Sequence, residues 1–538
     1  CCLCVNQHRV FEQKKSGMLV PTEVFFEEFQ SRVIGIGRVL AMMSPWKEPK
    51  YLTRIWCIFE IYTAHQYQDK CQVAIVMPPK QKKQLEYDLA NETSCRFDTL
   101  YETLGKTKIE DAKASVEDDR IAILEMVGSK DGPGFRGLNN QVNELLRGWV
   151  LSSIREAVTN QEHSVMNEPS IVLEKKKKID LSFFYNKVGN LLMGHSEHDE
   201  ALEVFRKGLA IRESVLGVNH ADTAASYNNI GGVLRVKGNY DEALVMCRKA
   251  HAIKELLLGF NHESIASSYN NIGLIFQGKG NCDRALVMYR KALSIKESVL
   301  GVNHESTAGS YHNIASVLQG KGNHKEALAM YHKALAIQKI VLGINHENTA
   351  RSYHNIGLLL HDKGNYDEAL AMYRKALAIK EVVLGFNHVS TASSYKNIGS
   401  VLHDKGNCDE ALIMHRKALA IRVSVLGDNH EKIASSYNNI GLVLRDKGNY
   451  DEALAMHSKA LAIQESLSEV NCVDTSTSYT NIGFVLRDKG NYDEALVVFG
   501  KAFSVCALKY GESHRRTLIL KRCVEKCRAR CVGRNHMS

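Results

Sequence analysis

Histidine recurs in this chain at 220, 262, 304, 346, 388 and 430, each time closing a Gly-x-Asn-His segment. An imidazole can ligate a metal, carry a proton or hydrogen-bond its surroundings, and the spacing decides among these. Each histidine lies one whole 42-residue interval from the next. Packed helix axes alone stand about 8–10 Å apart, whereas a metal–nitrogen bond is about 2 Å. Histidines one interval apart therefore cannot share an ion, and they are expected to complete the hydrogen bonds of their own segments. Cys523, Cys527 and Cys531 fall at i, i+4 and i+8. A metal would need a further ligand there, so a packed apolar stripe is expected. The chain holds no Gly-x-x-x-x-Gly-Lys-[Ser/Thr] phosphate loop and no His-Glu-x-x-His pair, two motifs with defined chemistry. The Gly-Lys-Gly-Asn turns at Gly278 and Gly320 read as helix ends. No metal, no cofactor and no enzymatic reaction are expected from these residues. Nor do basic residues interleave with exposed aromatics as a nucleic-acid groove requires.

The elements that position these residues follow from the repeat. Tyrosine stands at 185, 227, 269, 311, 353, 395, 437 and 479, always 42 apart, and self-similarity at such a period marks a solenoid. In the copy around Tyr437, the residues Tyr437, Ile440, Gly441 and Leu444 fall at i, i+3, i+4 and i+7, one buried stripe of a first helix. Gly441 costs that helix about 1 kcal/mol relative to alanine, so a neighbouring helix is expected to approach it closely. Gly448 is expected to end the helix in the left-handed conformation. Asn449 is expected to cap the second helix, with Glu452 three residues on. Ala453, His457 and Ala460 continue inward, and Tyr289, Tyr331 and Tyr373 fill the middle place elsewhere.

These residues resemble the tetratricopeptide repeat, with Tyr, Ile-Gly, Leu, Ala, Tyr and Ala at that family's spacings. The 42-residue unit with its Leu-Gly-x-Asn-His loop resembles the repeats of kinesin light chains. The resemblance implies a mainly α fold, a right-handed superhelical solenoid of eight two-helix repeats over 179–512. It also implies that the face two residues after each tyrosine lines an inner groove. Asn229, Asn271, Asn313, Asn355, Asn397, Asn439 and Asn481 stand there, about 200° around the helix from the tyrosine. An amide donates and accepts, so this row suits the backbone of an extended peptide; pairing between neighbouring helices is the other reading. Specificity is expected where copies differ: His312, His354 and Lys396 one residue after the tyrosine, and Arg235, His361, His403, Arg445 and Arg487 eight after it. The charge there predicts peptides with acidic residues and binding that weakens with salt.

Residues 1–160 do not repeat. Helices are expected at Val24–Ile34, Leu52–His65, Val116–Met126 and Leu138–Val158, and strands at Arg38–Ser44 and Cys71–Met77. That alternation suggests a small parallel α/β domain. Leu40–Met77, with Arg54-Ile55-Trp56-Cys57-Ile58-Phe59-Glu60-Ile61 between the strands, resembles part of the Toll/interleukin-receptor fold. The resemblance implies a domain truncated at its start, and Glu60 in the place of a glutamate that can serve in cleaving NAD. Residues 161–178 are expected as a basic linker, and 513–538 as a basic capping helix and tail; that tail could also meet nucleic acid or an acidic surface. The long heptads that precede the repeats of kinesin light chains are absent from 1–178, which counts against motor binding.

Composition fits this reading. The net charge is +9, 44% of the 538 residues are hydrophobic and 24% charged, as in soluble domains. Seven prolines permit long helices. No run of apolar residues is long enough for a membrane span, and the 14 scattered cysteines read as reduced thiols of a cytoplasmic protein. The chain is expected to be a scaffold binding other proteins. The alternatives are a signalling protein whose α/β domain cleaves NAD when complete, and a kinesin light chain carrying cargo.

Overall fold

The computed structural model describes residues 38–42, 63–64, 72–76, 80, 134–166, 171–467 and 473–535. The chain divides into two compact units, Cys1–Leu257 and Leu258–Ser538. In the first unit, β1 (Arg38–Met42) and β2 (Gln72–Val76) pair in parallel, from Arg38 beside Gln72 to Met42 beside Val76. Parallel neighbours require a crossover, and Thr63 and Ala64 within it are helical and buried. Both strands lie where the apolar runs predict them. Glu60, the expected helices at Val24–Ile34 and Val116–Met126, and most of Leu52–His65 lie outside the described residues.

The helix expected at Leu138–Val158 is α1 (Gly134–Met166), which buries Val142, Leu146, Val150, Ile154 and Ala157. The expected linker at 161–178 differs. Its first residues end α1, and from Ile171 onward it begins α2 (Ile171–Gly194). Lysines are good helix formers, Lys178 pairs with Glu174 at 2.6 Å, and the stripe Leu181, Phe184, Tyr185, Val188 and Leu192 buries the helix they start. Helix α1 covers the outer side of the first repeat. Arg147 donates to the His195 carbonyl at 2.6 Å, Arg155 pairs with Glu200 at 2.5 Å, and the Tyr185 hydroxyl donates to Glu162 at 2.5 Å. A solenoid end needs such a cover.

Eight helix pairs follow the tyrosine period. They are α2 with α3 (His198–Val215), α4 (Ala221–Val236) with α5 (Tyr240–Leu258), α6 (Glu263–Gly278) with α7 (Cys282–Val299), and α8 (Glu305–Gly320) with α9 (His324–Val341). Then come α10 (Glu347–Asp362) with α11 (Tyr366–Leu384), α12 (Val389–Asp404) with α13 (Cys408–Leu426), α14 (Glu431–Asp446) with α15 (Tyr450–Leu467), and α16 (Val473–Lys489) with α17 (Tyr492–Tyr510). In the second unit α18 (Arg515–Asn535) covers the last pair, seating Leu520 and Cys527 in a cluster with Ile482, Phe499 and Cys506.

The glycine inside every first helix except α8, where Ala315 takes its place, marks the close approach its spacing predicts. A Cβ on Gly441 would stand 2.6 Å from the His457 ring, and one on Gly273 2.6 Å from Tyr289. The turn glycine is left-handed, with φ 83° at Gly448. The asparagine after it works differently from expectation. Asn323, Asn365, Asn407 and Asn491 occupy N-cap positions without a side-chain cap bond, whereas Asn281 does make one. Their ψ of 60–71° is close to the 74° of Asn281, so one backbone conformation serves both with and without the side-chain bond. The backbone serves instead: Asn449 N–H closes the preceding helix on the Leu444 carbonyl at 2.9 Å. Side-chain capping of the first helices falls to the loop histidines. The Nδ1 of His304, His346 and His388 accepts from the N–H two residues on at 3.0–3.1 Å.

Candidate protein-interaction site

The asparagine two residues past the tyrosine of each first helix is half-buried in every repeat from Asn229 to Asn481. Their amides are not free rungs. Asn313 Nδ2 donates to Asn270 Oδ1 at 2.7 Å, Asn355 meets His312 Nε2 at 3.1 Å, and Asn397 meets His354 at 3.4 Å. In the first unit Asn229 donates to Asn186. The row therefore links α4 to α2 in the first unit, and α8, α10 and α12 each to the first helix before it in the second, 43 residues back. The residue one past the tyrosine, read as a specificity position, supplies the acceptor. Asn439 Nδ2 lacks a partner, since Lys396, 43 residues earlier, offers only donors. Burial, then the neighbouring Arg422 charge, holds the Lys396 ammonium below the usual lysine range. Burial brings His312 and His354 down to about 4, so both are neutral acceptors at pH 7.

The residues eight past the tyrosine are also engaged. His361 Nε2 meets Asp404 at 2.7 Å, His403 meets Asp446 at 2.9 Å, and Arg445 meets Asp446 at 2.9 Å and Asp488 at 3.7 Å. Arg487 pairs with Asp488 at 2.7 Å and lies over the Phe484 ring. Gln319 accepts from Tyr331 and donates to Asp362. Arg235 is half-buried in the first unit, and so are Asn271 and Asn481 in the second. His361, His403, Arg445 and Arg487 thus each meet an aspartate of the second unit, which partly neutralises the field expected of this row.

A second polar row escapes the sequence reading. Arg212, Lys254, Lys296, Gln338, Lys380, Arg422 and Gln464 recur every 42 residues near the end of the second helix. Most are buried, Arg212 to 2% exposure. Arg212, Lys296, Gln338, Lys380, Arg422 and Gln464 grip the first two turns of the next helix. Arg212 donates to the Asp222 carbonyl at 2.9 Å and to Ser226 at 2.8 Å. Lys296 donates to the Ser306 carbonyl at 3.0 Å, Lys380 to Ser394 at 3.1 Å, and Arg422 to the Lys432 carbonyl at 3.0 Å and Ser436 at 2.7 Å. Gln338 accepts from Ser352, and Gln464 from Ser478. Burial lowers the pKa of Lys296, Lys380 and Arg422. Their common register with the tyrosine was the signal that could have found them, but an isolated lysine in an amphipathic helix reads as exposed.

The two rows meet in one opening of the second unit, a cavity of about 580 Å³ between first helices. Asn270, His312 and Asn313 line it together with Lys296, Gln338 and Arg351. Gly309 forms part of its wall, and a Cβ there would meet nothing within 4 Å. Arg351 is exposed and makes no ion pair among the described residues. Glu305 lies at the rim. Among the described residues no group of three His, Cys, Asp or Glu could hold a metal, and no helix is long and apolar enough to cross a membrane.

Comparison with known proteins agrees with this architecture. The tetratricopeptide repeat family matches residues 222–298, 306–381 and 390–466 in one form and 184–222 and 475–516 in another. Among solved structures, BtubC (BKLC) from P. vanneervenii is 20% identical, covering 43% of this chain and 89% of its own, with a TM-score of 0.38. The nearly identical TPR-like repeats of a Podosopora anserina chain assigned as a kinesin light chain are 22% identical, covering 39% and 99%, with a TM-score of 0.36. The apo form of the quorum sensor NprR from B. thuringiensis is 12% identical, covering 66% and 94%, with a TM-score of 0.45. No curated protein sequence matches the chain. None of these family matches reaches residues 1–183, so the resemblance to the Toll/interleukin-receptor fold stands without their support. With eight helix pairs in register and family matches spanning more than half of its residues, the chain belongs to the tetratricopeptide repeat family.

Proposed function

We propose that the repeat array is a protein-interaction scaffold that holds extended peptide segments of partner proteins, and that the chain acts by binding, without a reaction of its own. The observation that carries this reading is the cavity beside Gly309. It is concave, lined by convergent amides and cations, and such openings are where ligands are held. The asparagine row keeps its carbonyl oxygens and second amide hydrogens for a peptide backbone, because each side chain can make more bonds than the one pairing it to the previous helix. A preference for acidic residues now centres on Arg351, because His361, His403, Arg445 and Arg487 already meet aspartates. The 42-residue unit and its histidine-capped loop support a kinesin-light-chain-like type of repeat, and the scattered reduced cysteines support a cytoplasmic setting.

The test fills the cavity without disturbing the helix behind it. Gly309→Trp adds a side chain into open space and replaces a glycine that weakens a helix by roughly 0.5–1 kcal/mol. Partners captured from the source-cell lysate by residues 1–538 should fall by about tenfold or more while the melting temperature holds. Arg351→Glu should remove acidic partners selectively. Capture unchanged by both substitutions, with the fold intact, would sink the groove reading.

A further inference from the structure

The helix that closes the second unit has two unlike sides. Its inner side is seated in the core: Thr517, Leu520 and Cys527 are 0–4% exposed, and Leu520 and Cys527 pack with Phe499 and Cys506. Its outer side carries Arg515, Leu518, Ile519, Arg522, Lys526 and Arg530, all exposed. The steps between them are three or four residues apart from one adjacent pair, which places them along one stripe of the helix. Glu525 is the only acid in α18, and none of these cations joins an ion pair among the described residues. A solvated cap needs charge on its outer side. It does not need Leu518 and Ile519, 43% and 46% exposed, standing among the cations.

We infer that this outer face of α18 docks on an anionic phospholipid surface. Basic side chains near such a surface are attracted by its negative potential and can reach around neighbouring apolar groups to the headgroups. Aliphatic side chains between them enter the boundary between headgroups and acyl chains, where leaving water stabilises the contact. A nucleic-acid backbone would match the cations but not the aliphatics. The helix holds no aromatic residue on which bases could stack, which single-strand binding uses. The seating of Leu520 and Cys527 matters to the inference, because it fixes which side faces outward before any surface is met.

The experiment sediments the whole chain with vesicles of phosphatidylcholine alone and with about one third phosphatidylserine added, at about 0.1 M and about 0.5 M salt. Binding is expected to the phosphatidylserine vesicles only, and to weaken at the higher salt. Arg522→Glu with Lys526→Glu should reduce it by more than about tenfold. Leu518→Ser with Ile519→Ser keeps every cation and should still lower vesicle binding several-fold, with the melting temperature of each variant checked against the parent. No preference for phosphatidylserine vesicles would overturn the inference. So would vesicle binding that ignores the Leu518 and Ile519 changes, and a short DNA or RNA duplex that binds more tightly than the vesicles would assign the face to nucleic acid.

Discussion

Two stretches of the second unit fill the same place in the second helix differently. Between Glu263 and Leu384 the residues are Tyr289, Tyr331 and Tyr373, and between Val389 and Leu467 they are His415 and His457. All five are buried to 3% exposure or less, and all face the same point of the first helix. Tyr289 reaches Gln277 through its hydroxyl at 2.9 Å, whereas His457 Nδ1 meets Asn438 Oδ1 at 2.8 Å. The helices keep their lengths to within one residue in both stretches, so the seam accepts either ring. Ionisation sets the conditions under which it stands. Burial pushes Tyr331 up to about 12, and the tyrosines stay neutral throughout the ordinary range. Burial, with Arg445 for His457 and with His403, Lys396 and Arg422 for His415, brings both histidines down to about 4.

The largest test of this contrast is acid. A histidine held at about 4 when folded returns to about 6.5 when unfolded, so the unfolded chain binds more protons between those values. Stability is therefore complete above about pH 6.5 and falls as pH drops toward 4, by at most about 3 kcal/mol per histidine. His415→Phe with His457→Phe copies the arrangement of Phe499 against Gly483. The double variant should lose less stability than the parent between pH 6.5 and 4, as followed by helical melting. An equal acid loss would leave His312 and His354, also near 4, as the sensitive pair.

Size at the seam gives a smaller effect. Gly273→Val would push a side chain against the Tyr289 ring, where a Cβ alone stands at 2.6 Å, and overpacking of this kind costs roughly 1–3 kcal/mol. A melting temperature equal to the parent's would show that the seam yields. The smallest effect is expected at Gly357→Ala. Its Cβ would lie 3.0 Å from Tyr373, yet Ala315 occupies the equivalent position beside Tyr331 with both side chains buried. Since alanine favours the helix by about 1 kcal/mol, the change should be neutral or slightly stabilising in a denaturant midpoint. A loss larger than that of Gly273→Val would break the equivalence of the two repeats.

Much of this was legible because it is local or periodic. Gly441 announced a close approach, Gly448 a left-handed turn, and the fixed step of the tyrosines the number of helix pairs. Asparagine type and position did not decide the cap bond, which Asn281 makes and Asn323, Asn365, Asn407 and Asn491 do not on nearly the same backbone; the closing bond at Asn449 comes from its backbone. The candidate site was half legible. Helical spacing placed Asn313 and His312 on one side, and both line the cavity. Gly309 and Arg351 went unnoticed, since neither stands in a position that repeats by type.

The sequence by itself determined the period, the two-helix unit, the covering helix at the end of the second unit and the residues able to pack at each seam, because angle around a helix follows from residue number. Only the tertiary structure decided which polar groups meet. Asn313 finds Asn270, Lys296 finds the Ser306 carbonyl, and His361 finds Asp404. Each of these contacts spans adjoining repeats, and spacing along one helix fixes direction but not distance to the next.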